Sequence, residues 1–408
     1  MKKTFSILAL LTLVSFSSSA QLWIFPGRNR KAPQADTVVV ADTVRSVAGT
    51  CVKPAGDSVK IESIIPERIE IALELPLNNL SGGSDDNLFE FYCGALLAAK
   101  DLGESGIKVD LKVKDTNSGA GFRSSRSGTH AIIGPISSKA ILKSVSEERD
   151  SSVWFVSPLD PKAEALVDSF RVIQTPTPLS VQAKTLVDWL SSELMPEDRV
   201  LVVSQSGETP DEFSRCVLDE LSLRGIGYKT LTYNILEALE IPEKYVEQAS
   251  VTGITRVFAA SASESFCGDV LRNVNLLQYK ERKGILYCNS RLRSIQGIEI
   301  ENLHSAMTRM VANYNVDYSS PKISRFVMEY RALFNCEPNS FAFQGYDVLH
   351  YICTAVSRLG TLWYEKLPEY SESGLQSDFI FDSAVNSGRV NKGVRKLVYN
   401  PDYSISIQ

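Results

Sequence analysis

The sequence predicts an α/β protein: two doubly wound, Rossmann-like lobes joined by a hinge, with a cleft between them. Three observations predict it. Strand-like and helix-like segments alternate from Arg68 to about Ser290, the pattern of parallel sheets covered by helices. The alternation falls into two consecutive sets that part near Thr175–Pro178. Two long helical segments and a tail with strand-like pieces then follow, which requires the chain to recross between lobes.

In order, "RIEIALELPL" (68–77) alternates into a strand, and "NLFEFYCGALLAAKDLGESG" (87–106) carries apolar residues at helical spacing with a glycine stop. "IKVDLKVKD" (107–115) alternates apolar with charged residues as a second strand. "HAIIG" (130–134) is a third, followed by a helix over 137–150. "VWFVSP" (153–158) and "FRVIQT" (170–175) are the fourth and fifth. The second set opens with a helix over 179–194. Strands at 199–206, 228–234, 256–262 and 283–290 then alternate with helices over 210–225, 242–253 and 265–281. The last third holds helices over 320–335 and 341–360, then the strand-like "SDFIFD" and "RKLVYN". The domain expectation is a first lobe of residues 67–176 with 313–360, and a second of 177–312 with 361–408. A cleft then lies at the carboxyl ends of both sheets, where open α/β folds bind ligands.

The start of the chain reads as an export signal. Lys2 and Lys3 precede the apolar "FSILALLTLVSF", too short for a lone bilayer span, and "SSSA" places cleavage near Ala20. No cysteine follows the apolar core closely, so a lipid anchor is not expected. Residues 21–66 lack sustained periodicity and read as a mostly irregular linker. No later stretch is long and apolar enough to span a membrane, so the expected location is the periplasm. A net charge of −5 leaves no basic stripe for nucleic acid.

Seven cysteines are scattered singly, and three histidines with no C-x-x-C pair make no zinc set. One or two disulfides are open to an exported chain, and Cys93 and Cys353 read as buried free thiols on apolar helix faces. No metal or other cofactor is expected. "SSPK" (319–322) matches S-x-x-K, but its companion motifs are missing. There is no G-x-S-x-G elbow, P-loop or H-E-x-x-H. An enzyme is not expected.

"IALELPL", "FYCGALLAAKDL", "VDLKVKDT", "HAIIGPISS", "VWFVSPLDP", "FRVIQTP" and "FAFQGYDVLHYICTAV" occur in the order found in type I periplasmic binding proteins. From Arg68 onward the chain resembles that family, in particular its leucine/isoleucine/valine-binding branch. It is also similar to binding-protein-like domains that Bacteroidetes envelope proteins carry after LysM repeats, although no LysM repeat is visible. The resemblance implies a hinge-closing binder without cofactor or chemistry. It implies that Ser138, four positions after the glycine of "IGP", holds a ligand carboxylate. A helix start favours an anion on physical grounds as well, and Ser137 or Ser138 serves equally as a cap of its own helix.

Around that corner Ser157, Leu159 and Asp160 are the next candidates. Pro161 replaces the donors that amino-acid binders present there. Asp160 is suited to accept an amine or to cap the following turn. The far lobe offers Ser206 with Gly207, Ser261 with Ser263, and Asn289 with Ser290; these are small and polar, none is acidic, and all are common turn residues. Tyr346 and Asp347 match the family's "GYD" step, whose role is to start and brace a helix.

Two functions from different classes fit. The leading expectation is a solute-binding protein holding a small polar ligand between the lobes and delivering it to a transporter permease. The other is a degenerate binding fold used as an envelope interaction module, such as a regulator of peptidoglycan-synthesis enzymes. A cleft filled by side chains such as Leu159 and Phe122 favours the second.

Overall fold

Ile69–Leu75 (β1) buries alternate residues at its start and all of them at its end, because it lies inside a sheet covered on both faces. The computed structural model describes residues 63–77, 86–117, 128–150, 152–237, 240–382 and 388–408. The predicted export signal, nearly all of the linker, Cys51 and Phe122 lie outside them. After β1 come α1 (Asp86–Glu104), β2 (Val109–Asp115), β3 (Ala131–Ile133), α2 (Ser138–Glu147), β4 (Trp154–Ser157), α3 (Glu164–Val167) and β5 (Val172–Gln174). The strands are parallel in the order β2-β1-β3-β4-β5, with Ile71 opposite both Leu111 and Ala131. Because β3, β4 and β5 are wholly buried, they read in sequence as apolar runs without alternation.

The second set runs α4 (Leu179–Glu193), β6 (Arg199–Gln205), α5 (Glu212–Leu223), β7 (Lys229–Tyr233), α6 (Ile241–Gln248), β8 (Ile254–Ala259), α7 (Glu264–Tyr279), β9 (Lys283–Asn289), α8 (Ile300–Ser305) and β10 (Arg309–Ala312). Its parallel order is β7-β6-β8-β9-β10. The chain then returns to the first sheet with α9 (Pro321–Phe334) and α10 (Ser340–Leu359). A two-stranded ribbon, β11 (Glu372–Ser373) with β12 (Asp378–Phe379), follows. Next, β13 (Arg389–Val390) adds to β5 of the first sheet, and β14 (Arg395–Tyr399) and β15 (Ile405–Ile407) extend the second sheet antiparallel from β10. Both sheets belong to one compact unit, Ile61–Gln408.

The described part of the tail after α10 differs from the domain expectation: residues 361–382 and 388–390 lie with the first lobe. Trp363, Leu367, Phe379 and Phe381 pack into the first lobe's core with α10, and only β14 and β15 cross to the second sheet. A tail of short pieces carries no periodicity that would reveal its partner.

Each sheet is buried on both faces. In the first, Leu73, Ile133 and Trp154 pack with α1 and α10, while Ile132, Phe155 and Ile141 of α2 form the opposite face. In the second, Leu201, Phe266 and Leu286 fill one face, and Val202, Leu186 and Phe213 the other. The α1–α10 contact is closest where two glycines meet. A Cβ on Gly94 would lie 1.9 Å from the Ala342 carbonyl oxygen, and one on Gly345 would lie 1.9 Å from that of Phe91. Cys93 and Cys353 are buried free thiols in this core.

Among the described residues three segments join the lobes, after β5, after β10 and before β14, and buried polar groups tie them together. The Asn391 amide donates to the carbonyls of Thr175 and Asp378 (both 2.8 Å), and its oxygen accepts from Ile380 and Gly393 (both 2.9 Å). Asn313 Nδ2 donates to the Thr177 carbonyl at 3.0 Å. The buried Arg395 reaches the carbonyls of Asn315, Leu375, Gly374 and Ser377 and the Asp378 carboxylate. Buried polar groups satisfied as fully as Asn391 and Arg395 fix one arrangement of the segments they connect.

Candidate functional site

In a doubly wound sheet the crevice lies at the carboxyl ends of the strands where the order reverses. That point falls between β1 and β3 in the first sheet and between β6 and β8 in the second. Beside the first lies the Gly134–Ser137 corner. Gly134 has φ +97°, and a Cβ there would sit 2.2 Å from the Glu74 carbonyl oxygen. Glycine is therefore required for the chain to turn this close to β1.

Ser137 is the cap of α2, its hydroxyl accepting from the Ala140 N–H at 3.3 Å. The Ser138 N–H donates to Asp160 Oδ2 at 2.7 Å, and the other oxygen of Asp160 accepts from the Lys162 N–H at 2.9 Å. Asp160 thus caps its own turn and also places a carboxylate on the start of α2. Burial pushes the Asp160 carboxyl up, but the N–H groups of Ser138 and Lys162, the Ser138 hydroxyl and the Lys162 charge outweigh it and hold it below the ordinary range. It is an anion seated where a helix start attracts one.

Ser157 is fully buried, its hydroxyl donating to the Asp160 carbonyl at 3.3 Å. The Pro158 carbonyl accepts from Gln344 Nε2 at 3.1 Å and Thr175 Oγ1 at 3.3 Å. Leu159 packs, half-buried, against the first lobe's core. Gln344 and its neighbours form the brace behind this corner. Gln344 Oε1 accepts from Gln376 Nε2 (3.1 Å) and Ser377 Oγ (2.9 Å). Asp347, also buried, accepts from the N–H groups of Leu375, Gln376 and Ser377 at 2.6, 2.9 and 3.0 Å. The "GYD" aspartate therefore pins the returning tail, and Tyr346 donates to Asp101 at 2.9 Å.

On the second lobe Ser206 is exposed, its N–H donating to the Tyr233 carbonyl. Ser261 is buried and donates to Glu208 Oε2 at 2.8 Å, so an acidic group does stand at this strand reversal. It comes from the loop after β6, one residue beyond the Ser206–Gly207 pair that the sequence pattern marks. Ser263 caps α7, and Asn289 caps the turn Ser290–Ser294. Beside Ser261, a cavity of about 40 Å³ between Phe258, Cys267, Cys288 and Arg291 has room for water only. Where this lobe meets the hinge there is a wider hollow of about 530 Å³, lined by Asn289, Ser290, Arg291, Arg293, Asn313 and Tyr314 among others. The arginines of "CNSRLRS" went unmarked because a basic pair after a strand reads as a solvated turn.

The structure therefore brings Ser138, Ser157 and Asp160 into one corner where they bond each other, and Ser261 and Asn289 to the second lobe's strand ends. Among the described residues no group of three or more acidic, histidine or cysteine side chains is placed to hold a metal ion.

No protein-family model and no curated protein matches the sequence. Solved structures do match. A branched-chain amino acid ABC transporter protein from Rhodospirillum rubrum is 15% identical with a TM-score of 0.60, over 84% of this chain and 100% of that one. One from Rhodopseudomonas palustris is 14% identical with a TM-score of 0.54, over 83% and 95%. The C-domain of LpoA from Haemophilus influenzae, a regulator of PBP1A, is 15% identical with a TM-score of 0.50, over 83% and 99%.

Proposed function

We propose, from the type I periplasmic binding protein fold that this chain has, that it is a non-enzymatic envelope module that works by docking to a partner protein. The observation that carries this reading is the Asp160 carboxylate on the start of α2. A free amino acid would have to expel that carboxylate to seat its own. Ser157, turned inside, and Leu159, packed on the core, add to a corner that is already satisfied. The LpoA domain supports the reading, since LpoA is a regulator of PBP1A; the partner proposed here is a peptidoglycan-synthesis enzyme. The chain would work in the periplasm after cleavage near Ala20.

A second reading, a solute-binding protein serving a transporter permease, is favoured by the open hollow at the hinge and by the acidic Glu208 beside Ser261. Melting the protein with each free amino acid and with common sugars separates the two, since a ligand held only by the folded state raises Tm. The docking reading expects no shift, together with recovery of peptidoglycan enzymes when the tagged protein is purified from envelope extracts. A Tm rise with branched-chain amino acids and recovery of a permease would overturn it.

A further inference from the structure

The hollow between the second lobe and the hinge combines features that point to a ligand. Arg293 is held by neutral acceptors only, Asn315 Oδ1 at 2.7 Å and the Tyr314 carbonyl at 3.5 Å, so its charge meets no carboxylate among the described residues. Arg291 lines the same space, fixed by the Ala262 carbonyl at 2.8 Å and by Asp211 at 3.3 Å. None of the described residues lining the hollow is acidic. A guanidinium already held in place by neutral groups loses little freedom on meeting a carboxylate, which it grips with two parallel N–H donors.

A different atom adds a second requirement. Asn313 also lines the hollow, and its Nδ2 is committed to the Thr177 carbonyl, which fixes the orientation of the amide. Its Oδ1 is buried and has no partner among the described residues. An orphaned acceptor of this kind is costly unless a donor reaches it. Carboxylate and neighbouring N–H donor occur together at the carboxyl end of a peptide.

We propose that this hollow seats the C-terminal carboxylate of a peptide, Arg293 and Arg291 taking the carboxylate and Asn313 the last amide N–H. The seat lies on the opposite lobe from the Ser138 corner and stands apart from the docking reading. The peptide end is supplied either free or by a partner protein.

The test titrates the full chain calorimetrically with N-acetyl-trialanine and with the same peptide carrying a C-terminal amide. The acid should bind, and the amide about tenfold or more weaker. Arg291→Met, at a half-exposed side chain away from the hinge contacts, should weaken the acid several-fold. Arg293→Met should weaken it about tenfold or more, with Arg293→Lys restoring part of the loss. Melting each unliganded variant separates loss of the seat from loss of the fold. Equal binding of acid and amide, absence of binding at millimolar peptide, or indifference to Arg291→Met would overturn the proposal. Titrating a peptide that matches the C-terminus of a recovered envelope partner, beside the trialanine, distinguishes the two sources. Loss of peptide binding with partner recovery intact counts against the seat alone, and the reverse counts against docking alone.

Discussion

Asp160 joins two short elements with one side chain, capping its own turn and holding the first N–H of α2. Asp160→Ala frees both donors and should cost about 0.5–2 kcal/mol, read as a lowered urea midpoint. It should also leave the α2 start open to an added anion, so sulfate should raise the variant's Tm more than the parent's. Asp347 makes the opposite electrostatic bargain. Burial pushes its carboxyl up to about 6, against the three N–H groups that hold it down. Between about pH 4 and 6 the folded protein keeps a proton that the unfolded chain has released. This residue's contribution to stability therefore falls as pH rises through that window. Asp347→Asn should be less stable than the parent, and its stability should change less across the window in paired denaturant titrations. The two serines and Asp160 are marked by the sequence as a cap-like cluster, because capping is local chemistry. Which carboxylate sits on α2 is not legible: Ser138 and Asp160 are brought together by the pairing of β3 with β4.

Among the elements, the α1–α10 pair depends on the absence of two side chains. Gly345→Ala would press a methyl group into the Phe91 carbonyl and should destabilise by about 1–3 kcal/mol or more. Gly103→Ala, on the same helix as Gly94 but with open space around its Cβ position, should be neutral or slightly stabilising; thermal melts of the two distinguish packing from propensity. Long elements were legible because periodicity accumulates along them, and "NLFEFYCGALLAAKDLGESG" became α1 as expected. Short ones were not. The sequence reading assigns nothing between Ser290 and Ser320, where four residues, "RMVA", form β10 and carry both β9 and β14 on its two sides. Four residues hold too few positions to show a period.

At the scale of the whole molecule, the ends of the second sheet differ in kind. Opposite its strand-end crevice, Arg256 is buried between Asp198 at 2.7 Å and Glu193 at 3.0 Å, with Tyr287 donating to Glu193 at 2.6 Å. Burial pushes both carboxyls up, but their hydrogen bonds and cationic neighbours outweigh it and hold them low. Their stabilisation is present above the ordinary carboxylate range and is lost as pH falls through the depressed values. Arg256→Met leaves Asp198 buried without its counter-charge and should cost about 3–5 kcal/mol at neutral pH. The cost should shrink in acid, as denaturant titration at both pH values would show. The two-lobe architecture was legible because it needs only the alternation of strand and helix. The course of the tail was not, since its strand pairings are set by space left at two sheet edges.

That tail has a consequence for how the chain comes into being. The first sheet gains β13 and the second β14 and β15 only from Arg389 onward. Neither lobe is a contiguous stretch, and contacts spanning hundreds of residues, such as Asn391 with Thr175, close last. Folding that depends on such distant pairings is slow. While the ribosome is still adding residues, both lobes lack an edge and the segments between them lack their third strand. Neither sheet is therefore complete until the stretch from Arg389 to Ile407 has been made, and both lobes stay open-edged until that stretch arrives.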